Sequence, residues 1–180
     1  MSEAVITATR AWVEHTVIGL NLCPFARPVF DANRIRYCVS AATTADELRA
    51  ELARELTALA QADPAACETT LLIHPQVLTE FFEYSAFLGI AEKCVRSIGL
   101  EGEIQIASFH PQYQFAEHAV DAVENYTNRS PYPMLHLLRE ASIERVLERY
   151  PDSEMIYERN IETLRRLGLP RLLNATRTHE

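Results

Sequence analysis

Glycine is scarce in this chain, with five in 180 residues, and none of the five forms G-x-G-x-x-G or a P-loop. Nucleotide binding through those Gly-rich phosphate cradles is therefore excluded. The four cysteines, Cys23, Cys38, Cys67 and Cys94, lie far apart and make no C-x-x-C pair, which removes zinc ribbons and thioredoxin-type redox motifs. No run of Lys or Arg appears, and the net charge is −8 with a pI near 5.3, so nucleic acid is not an expected partner. Long apolar runs are missing too: nowhere do about 18 uncharged apolar residues follow one another, and MSEAVITATRAWVEH lacks a basic segment leading into an apolar one. The expectation is a soluble, cytoplasmic protein with thiols kept reduced and no membrane partner.

What is present is enough apolar residue, 48%, to build a sizeable core in one domain, expected over residues 1–168 with 169–180 as a loose tail containing His179. Residues 3–20 set Val5, Trp12, Val13, Thr16, Val17 and Leu20 at helical spacing. Two prolines end that helix in the apolar loop GLNLCPFARP. RIRYCVS, residues 34–40, has the composition of a strand. TTADELRAELARELTALAQ follows as a helix with a capping box from Thr44 to Glu47 and an apolar line of Leu48, Leu52, Leu56 and Leu59. CETTLLIHP is a second strand. LTEFFEYSAFLGIAEKCVRSIG is a helix with Phe81, Leu88, Ala91, Val95 and Ile98 inward and Gly99 just past its end, and GEIQIASFHP is a third strand.

This β-α-β-α-β order predicts an α/β or α+β fold with a small, parallel three-stranded sheet. An N-terminal helix and C-terminal helices would pack on it. After a polar connection, SPYPMLHLLREASIERVLERY is read as a helix with Ser130 as its N-cap and Pro131 as its first residue, and a last helix runs from Pro151 to Gly168. Its inward side would carry Ile156, Leu164 and Leu167.

Two strands end on the same three residues, His-Pro-Gln, at His74 and His110. In a parallel sheet both would lie at the carboxyl edge, where open α/β sheets bind ligands. Each histidine equally suits a strand cap that bonds its own neighbourhood. Cys23, in Leu-Cys-Pro-Phe, could be a nucleophile or a soft metal ligand, or a small buried hydrophobe. Arg129 stands before the expected helix start, where its guanidinium and free backbone N–H groups could hold a carboxylate or phosphate, with Asn125 and Asn128 orienting it. A turn capped by Asn and Ser, with Arg129 in an ion pair, fits the same residues. His136 and Glu140, four apart on that helix, could share a metal or act as ligand and supporting carboxylate. Glu117 and His118 could join His110. Tyr113, Phe115, Tyr126 and Tyr132 would wall a pocket.

Three stretches, GLNLCPFA, IQIASFHPQYQF and NYTNRSPYPMLHLLRE, together resemble an uncharacterised bacterial family, the domain-of-unknown-function family 1415. The resemblance covers roughly residues 3–168 and implies a single-domain bacterial protein of about this size. It carries no catalytic residues with it.

The leading expectation is a small-molecule enzyme with one pocket at the carboxyl edge. Arg129 would bind a small anionic molecule, assisted by Asn125, Asn128 and Tyr113, and His110 would be the acid/base or a metal ligand. His74, His136, Glu140 and Cys23 would complete a site of mixed N, O and S donors for zinc or iron. Three rivals remain open: a thiol enzyme using Cys23, a non-enzymatic sensor or carrier binding haem through Cys23-Pro24, and an adaptor whose motifs stabilise turns.

Overall fold

The computed structural model describes residues 2–148 and 155–168. The expected tail, 169–180, and the start of the last helix lie outside them. Helix α1, Ser2–Trp12, passes directly into a π-helix, Val13–Ile18, closed by i−5 bonds such as Gly19 N–H to the Glu14 carbonyl at 3.0 Å. The loop after it contains a short helix, α2, Ala26–Asp31, which accepts Pro28 because a proline in the first turn removes no internal bond. Strand β1, Ile35–Val39, helix α3, Ala45–Gln61, strand β2, Thr69–Ile73, helix α4, Phe81–Ser97, and strand β3, Ile104–Phe109, fall where the pattern places them.

Local chemistry explains their ends. Thr44 Oγ1 accepts from the Glu47 N–H and the Glu47 carboxylate accepts from the Thr44 N–H, the reciprocal capping box. Leu48, Leu52, Leu56 and Leu59 are all buried, each stabilising the packing by about 2 kcal/mol. Gly99, one residue beyond the C-cap Ile98, takes the left-handed conformation at φ 76° that ends α4.

The sheet is not three parallel strands. It has four, in the order β1-β2-β4-β3, and the fourth, β4, Met134–Arg139, runs antiparallel between β2 and β3. These residues were expected inside a helix capped by Ser130. Instead the Ser130 hydroxyl donates to the Tyr132 carbonyl, and the next helix, α5, spans Glu140–Leu147. Met, Leu and Arg are good helix formers, so propensity favours the wrong state here. The central position wins because Met134, Leu135 and Leu137 are fully buried, with Leu on one face and Met on the other.

Insertion of β4 leaves β2 and β3 parallel to each other, so His74 and His110 do lie at one edge of the sheet. The sheet separates two cores. Leu72, Leu135, Leu137 and Ile104 pack under α3 and α4, whereas Leu71, Ile73 and Met134 pack under α1 and the π-helix. A terminal amine of Arg139, at the end of β4, donates to the carbonyls of Leu59, Ala62 and Cys67 and so ties down the end of α3. Helix α6, Met155–Leu167, buries Leu164 against Leu22 and Tyr126 of a 3-10 turn, Val123–Thr127. No helix among the described residues is long and apolar enough to cross a membrane.

Candidate functional site

The two His-Pro-Gln segments meet, but as a brace. His74 and His110 are fully buried, and both rings pack on Tyr84 of α4, with centroids 5.8 Å and 5.0 Å away. His74 Nδ1 donates to the Val77 carbonyl at 2.9 Å, which leaves Nε2 an acceptor without a partner among the described residues. His110 is the other tautomer: Nδ1 accepts from the Gln112 N–H at 3.0 Å, so Nε2 carries the proton and donates to the Leu78 carbonyl at 3.3 Å. Leu78 is in the left-handed region at φ 55°, and the turn it closes follows His74. Each His-Pro-Gln therefore holds its own turn, and His110 also holds the turn of His74. Burial pushes His74 down to about 4 and His110 down as well. The Tyr84 hydroxyl accepts from the Phe109 N–H and donates to the Met134 carbonyl, locking β3 and β4 to α4.

The polar cluster after β3 is spent on its own loop. Arg129 donates to the carbonyls of Tyr113, at 3.2 Å, and Val120, at 2.6 Å, with its guanidinium 4.4 Å from the Tyr126 ring centroid. No helix begins beside it, so the helix N-terminus that was to share an anion with Arg129 does not exist. Asn125 is buried, accepting from the Phe115 N–H and donating to the carbonyls of Ala119 and Val120. Asn128 donates to the Ser108 carbonyl and accepts from Thr127. Tyr113 accepts from the Ser108 hydroxyl and packs on Phe81.

The expected pairing of His136 with Glu140 assumed a helix. On a strand, positions four apart are about 13 Å apart rather than about 6 Å. Glu140 is the first residue of α5, and its N–H bonds the Glu103 carbonyl. Strand alternation then decides the rest. His136 shares a face with Met134, toward the π-helix, whereas His74 and His110 lie on the α4 face. The five proposed metal donors are thus divided by the sheet, and among the described residues no three His, Cys, Asp or Glu side chains are grouped to hold a metal ion.

His136 and Cys23 do come together, on the wall of a cavity of about 380 Å³ between the sheet and the N-terminal helices. Its floor crosses all four strands, from Ile35 through Thr69 and Leu71 to His136 and Leu138, then Ala107 and Phe109. In register, Leu71, His136 and Ala107 stand side by side, and the small Ala107 leaves space next to the imidazole. Trp12, Val13, Val17, Phe25 and Val29 form the roof, and Ser142 and Ile143 of α5 close one side. The floor and roof are overwhelmingly apolar, as ligand cavities of this size are.

The wall's polar side chains include Glu68 and Arg139, whose Nε has no partner among the described residues, beside Thr69 and His136. The Thr69 hydroxyl donates its one proton to the Leu137 carbonyl, and it lies 2.8 Å from His136 Nε2. It can only accept from the ring, so Nε2 carries the proton and Nδ1 presents a bare lone pair. Desolvation pushes His136 down to about 4, keeping it neutral. Trp12 is 5% exposed, and its indole N–H has no partner among the described residues. Burial raises the Cys23 thiol, outweighing the backbone bonds from Phe25 and Ala26 that lower it. Burial thus favours the thiol form of Cys23 over the thiolate.

Sequence reasoning found Cys23 and His136 but missed Trp12, Thr69, Ala107 and Phe109. The signal was the alternation in MLHLLR, where His136 falls with Met134 and Leu138 on one face of a strand.

No curated protein and no solved structure matches the chain. The family described as "Protein of unknown function (DUF1415)" matches residues 4–173, and the chain belongs to that family.

Proposed function

We propose that this protein is a small-molecule enzyme that binds a largely apolar, uncharged compound in the cavity between the N-terminal helices and the sheet, with His136 as the proton acceptor. The observation that carries the reading is the imidazole itself: a neutral His136 whose tautomer is set by Thr69, in the wall of a mostly apolar cavity that Glu68 and Arg139 also line. The Nδ1 lone pair can accept from an O–H or N–H of a bound molecule or take a proton from it. The charge chemistry expected of Arg129 has no part in this site, because that guanidinium serves two carbonyls of its own loop and is not in the cavity wall.

The test has two arms. The uncharged dye N-phenyl-1-naphthylamine should bind saturably with enhanced emission, and Ala107→Trp, which fills the space beside His136, should abolish that signal. The protein incubated with a metabolite extract should then deplete a compound, by mass spectrometry, that His136→Ala leaves untouched. Dye binding unchanged in Ala107→Trp overturns the cavity assignment, and equal depletion by His136→Ala overturns the role of the histidine.

The thiol alternative uses the same cavity, because Cys23 lines it too. Burial holds that thiol protonated, so iodoacetamide at neutral pH should label Cys23 no faster than Cys38, which is pushed up to about 11. Selective early labelling of Cys23 would transfer the chemistry to sulfur. Haem ligation through Cys23 needs the same thiolate and stands or falls with that result.

A further inference from the structure

Helix α4 turns Tyr84, Phe87, Ala91, Cys94 and Val95 inward and leaves its outer face bare. Along that face, at helical spacing, run Phe82, Ala86, Gly89, Ile90 and Lys93, all exposed. Phe82 is 86% exposed, the most open large apolar side chain among the described residues, and Ile90 follows it about two turns on. Gly89 lies between them without any need from its own chain: its φ is not left-handed, and a Cβ there would meet nothing within 4 Å. A glycine inside a helix is less stable than an alanine, so its use here fits the close approach of something outside the chain.

The charges on this helix point to a second copy as what approaches. Glu80 and Glu83 stand at its start and Lys93 and Arg96 near its end, all exposed, and among the described residues none of the four is in an ion pair. When a second α4 is laid antiparallel on the first and centred on Leu88, one register satisfies them together: Glu83 faces Lys93 of the second copy, Glu80 faces its Arg96, and Ala86 faces its Ile90. Twofold symmetry repeats each pair, with the charges at the rim and the apolar residues between them. Phe82 lies over the methylene stem of Lys93 of the second copy, and the small Ala86 and Gly89 let the axes approach to about 8 Å. Glu92 meets no charge in this register. A parallel pairing would set Glu against Glu and Lys against Lys.

We infer that α4 is a homodimer interface, two copies pairing antiparallel through Phe82, Ala86, Gly89 and Ile90, with Glu80 and Glu83 against Arg96 and Lys93. Helix α4 packs on the face of the sheet opposite to the cavity, and none of its residues lines that cavity, so pairing leaves the candidate site open.

Sedimentation velocity over a concentration series should show the chain passing from monomer to dimer, with the dimer weakened by added salt, which screens exposed pairs. Lys93→Glu and Glu83→Lys each set like charges face to face and should raise the dimer dissociation constant about tenfold or more. The double variant Glu83→Lys/Lys93→Glu should bring it back near the parent value, which a surface merely disturbed by substitution would not do. Gly89→Trp should abolish the dimer while the chain stays folded by circular dichroism; if it misfolds, the charge variants, at exposed positions, decide alone. Lys93 is the only lysine in the chain, so a carbodiimide that joins amines to carboxylates has one side chain to act from. In a mixture of natural-abundance and 15N-labelled protein it should yield a mixed-isotope peptide linking Lys93 to Glu83. A chain that stays monomeric at millimolar concentration, a dimer indifferent to both charge reversals, or a double variant as weak as the single ones would overturn the inference.

Discussion

The Thr69 hydroxyl and the His136 imidazole, 2.8 Å apart on neighbouring strands, form a one-way hydrogen bond. Thr69 has spent its proton on the Leu137 carbonyl, so the ring must donate. One threonine thereby decides which nitrogen of the cavity histidine is available for a ligand. In a metal-free, neutral histidine the other nitrogen is then an acceptor at every pH above the protonation of the ring.

Thr69→Val is the most direct check. Valine has the same shape and lacks the hydroxyl, so His136 loses the bond that selects its tautomer. The expected result is a change in the His136 ring 15N shifts from the Nε2–H pattern toward a mixture, with a stability loss of about 1–2 kcal/mol in urea. An unchanged Nε2–H pattern in this variant would mean that Thr69 does not set the tautomer.

Acid should destabilise the fold earlier than its carboxylates alone would. His74 and His136 are both pushed down to about 4 in the folded chain, whereas an unfolded histidine titrates near 6.5. With folded values depressed, the unfolded state takes up protons first. Their full contribution is therefore present above about pH 6.5 and is lost as the pH falls toward 4, by roughly 3 kcal/mol for each residue at most. The lowered carboxyls of Glu55 and Glu124 lose their contribution further down, below the ordinary carboxylate range. Urea unfolding at pH 7 and pH 4.5 should show a marked drop, and His74→Phe, which removes one titrating ring from the Tyr84 stack, should shrink it. A drop of the same size in that variant would remove His74 from the account.

Two glycines should respond to alanine in different ways. At Gly19, just after the π-helix, a Cβ would come within 2.2 Å of the His15 carbonyl oxygen, so the backbone must move. At Gly99 a Cβ would meet nothing within 4 Å, and the cost is the left-handed φ of 76° alone. Gly99→Ala should cost about 1 kcal/mol, and Gly19→Ala about 2–3 kcal/mol or more, with a disturbed cavity roof because Val13 and Val17 belong to the same turns. Equal urea midpoints for the two variants would contradict the close contact at Gly19.

Much of the architecture is written in short-range signals. Thr44 and Glu47 announce the start of α3, the leucines after them mark its buried face, and Gly99 ends α4, all through interactions spanning a turn or less. The paired His-Pro-Gln segments place His74 and His110 at one sheet edge, because β2 and β3 are parallel. Their use as a brace is less legible. Whether a histidine at a strand end faces a ligand or a tyrosine depends on Tyr84, ten residues beyond His74 and twenty-six before His110 in sequence.

His136 is the opposite case. Its neighbours Met134, Leu135, Leu137 and Leu138 have the composition of a helix, and read that way the residue pairs with Glu140 on one face.

The sequence alone determined that this chain would build helices and strands in alternation around a buried apolar interior, since turn chemistry, capping and periodicity act within a few residues. Only the tertiary structure decided that 134–139 would enter the sheet between β2 and β3, because that choice depends on strands contributed by residues 69–73 and 104–109. With the strand came its period of two, which turned His136 toward Trp12 and Cys23 and away from His74 and His110. The candidate site follows from that alternation: which side chains share a cavity is a property of which face of the sheet they occupy.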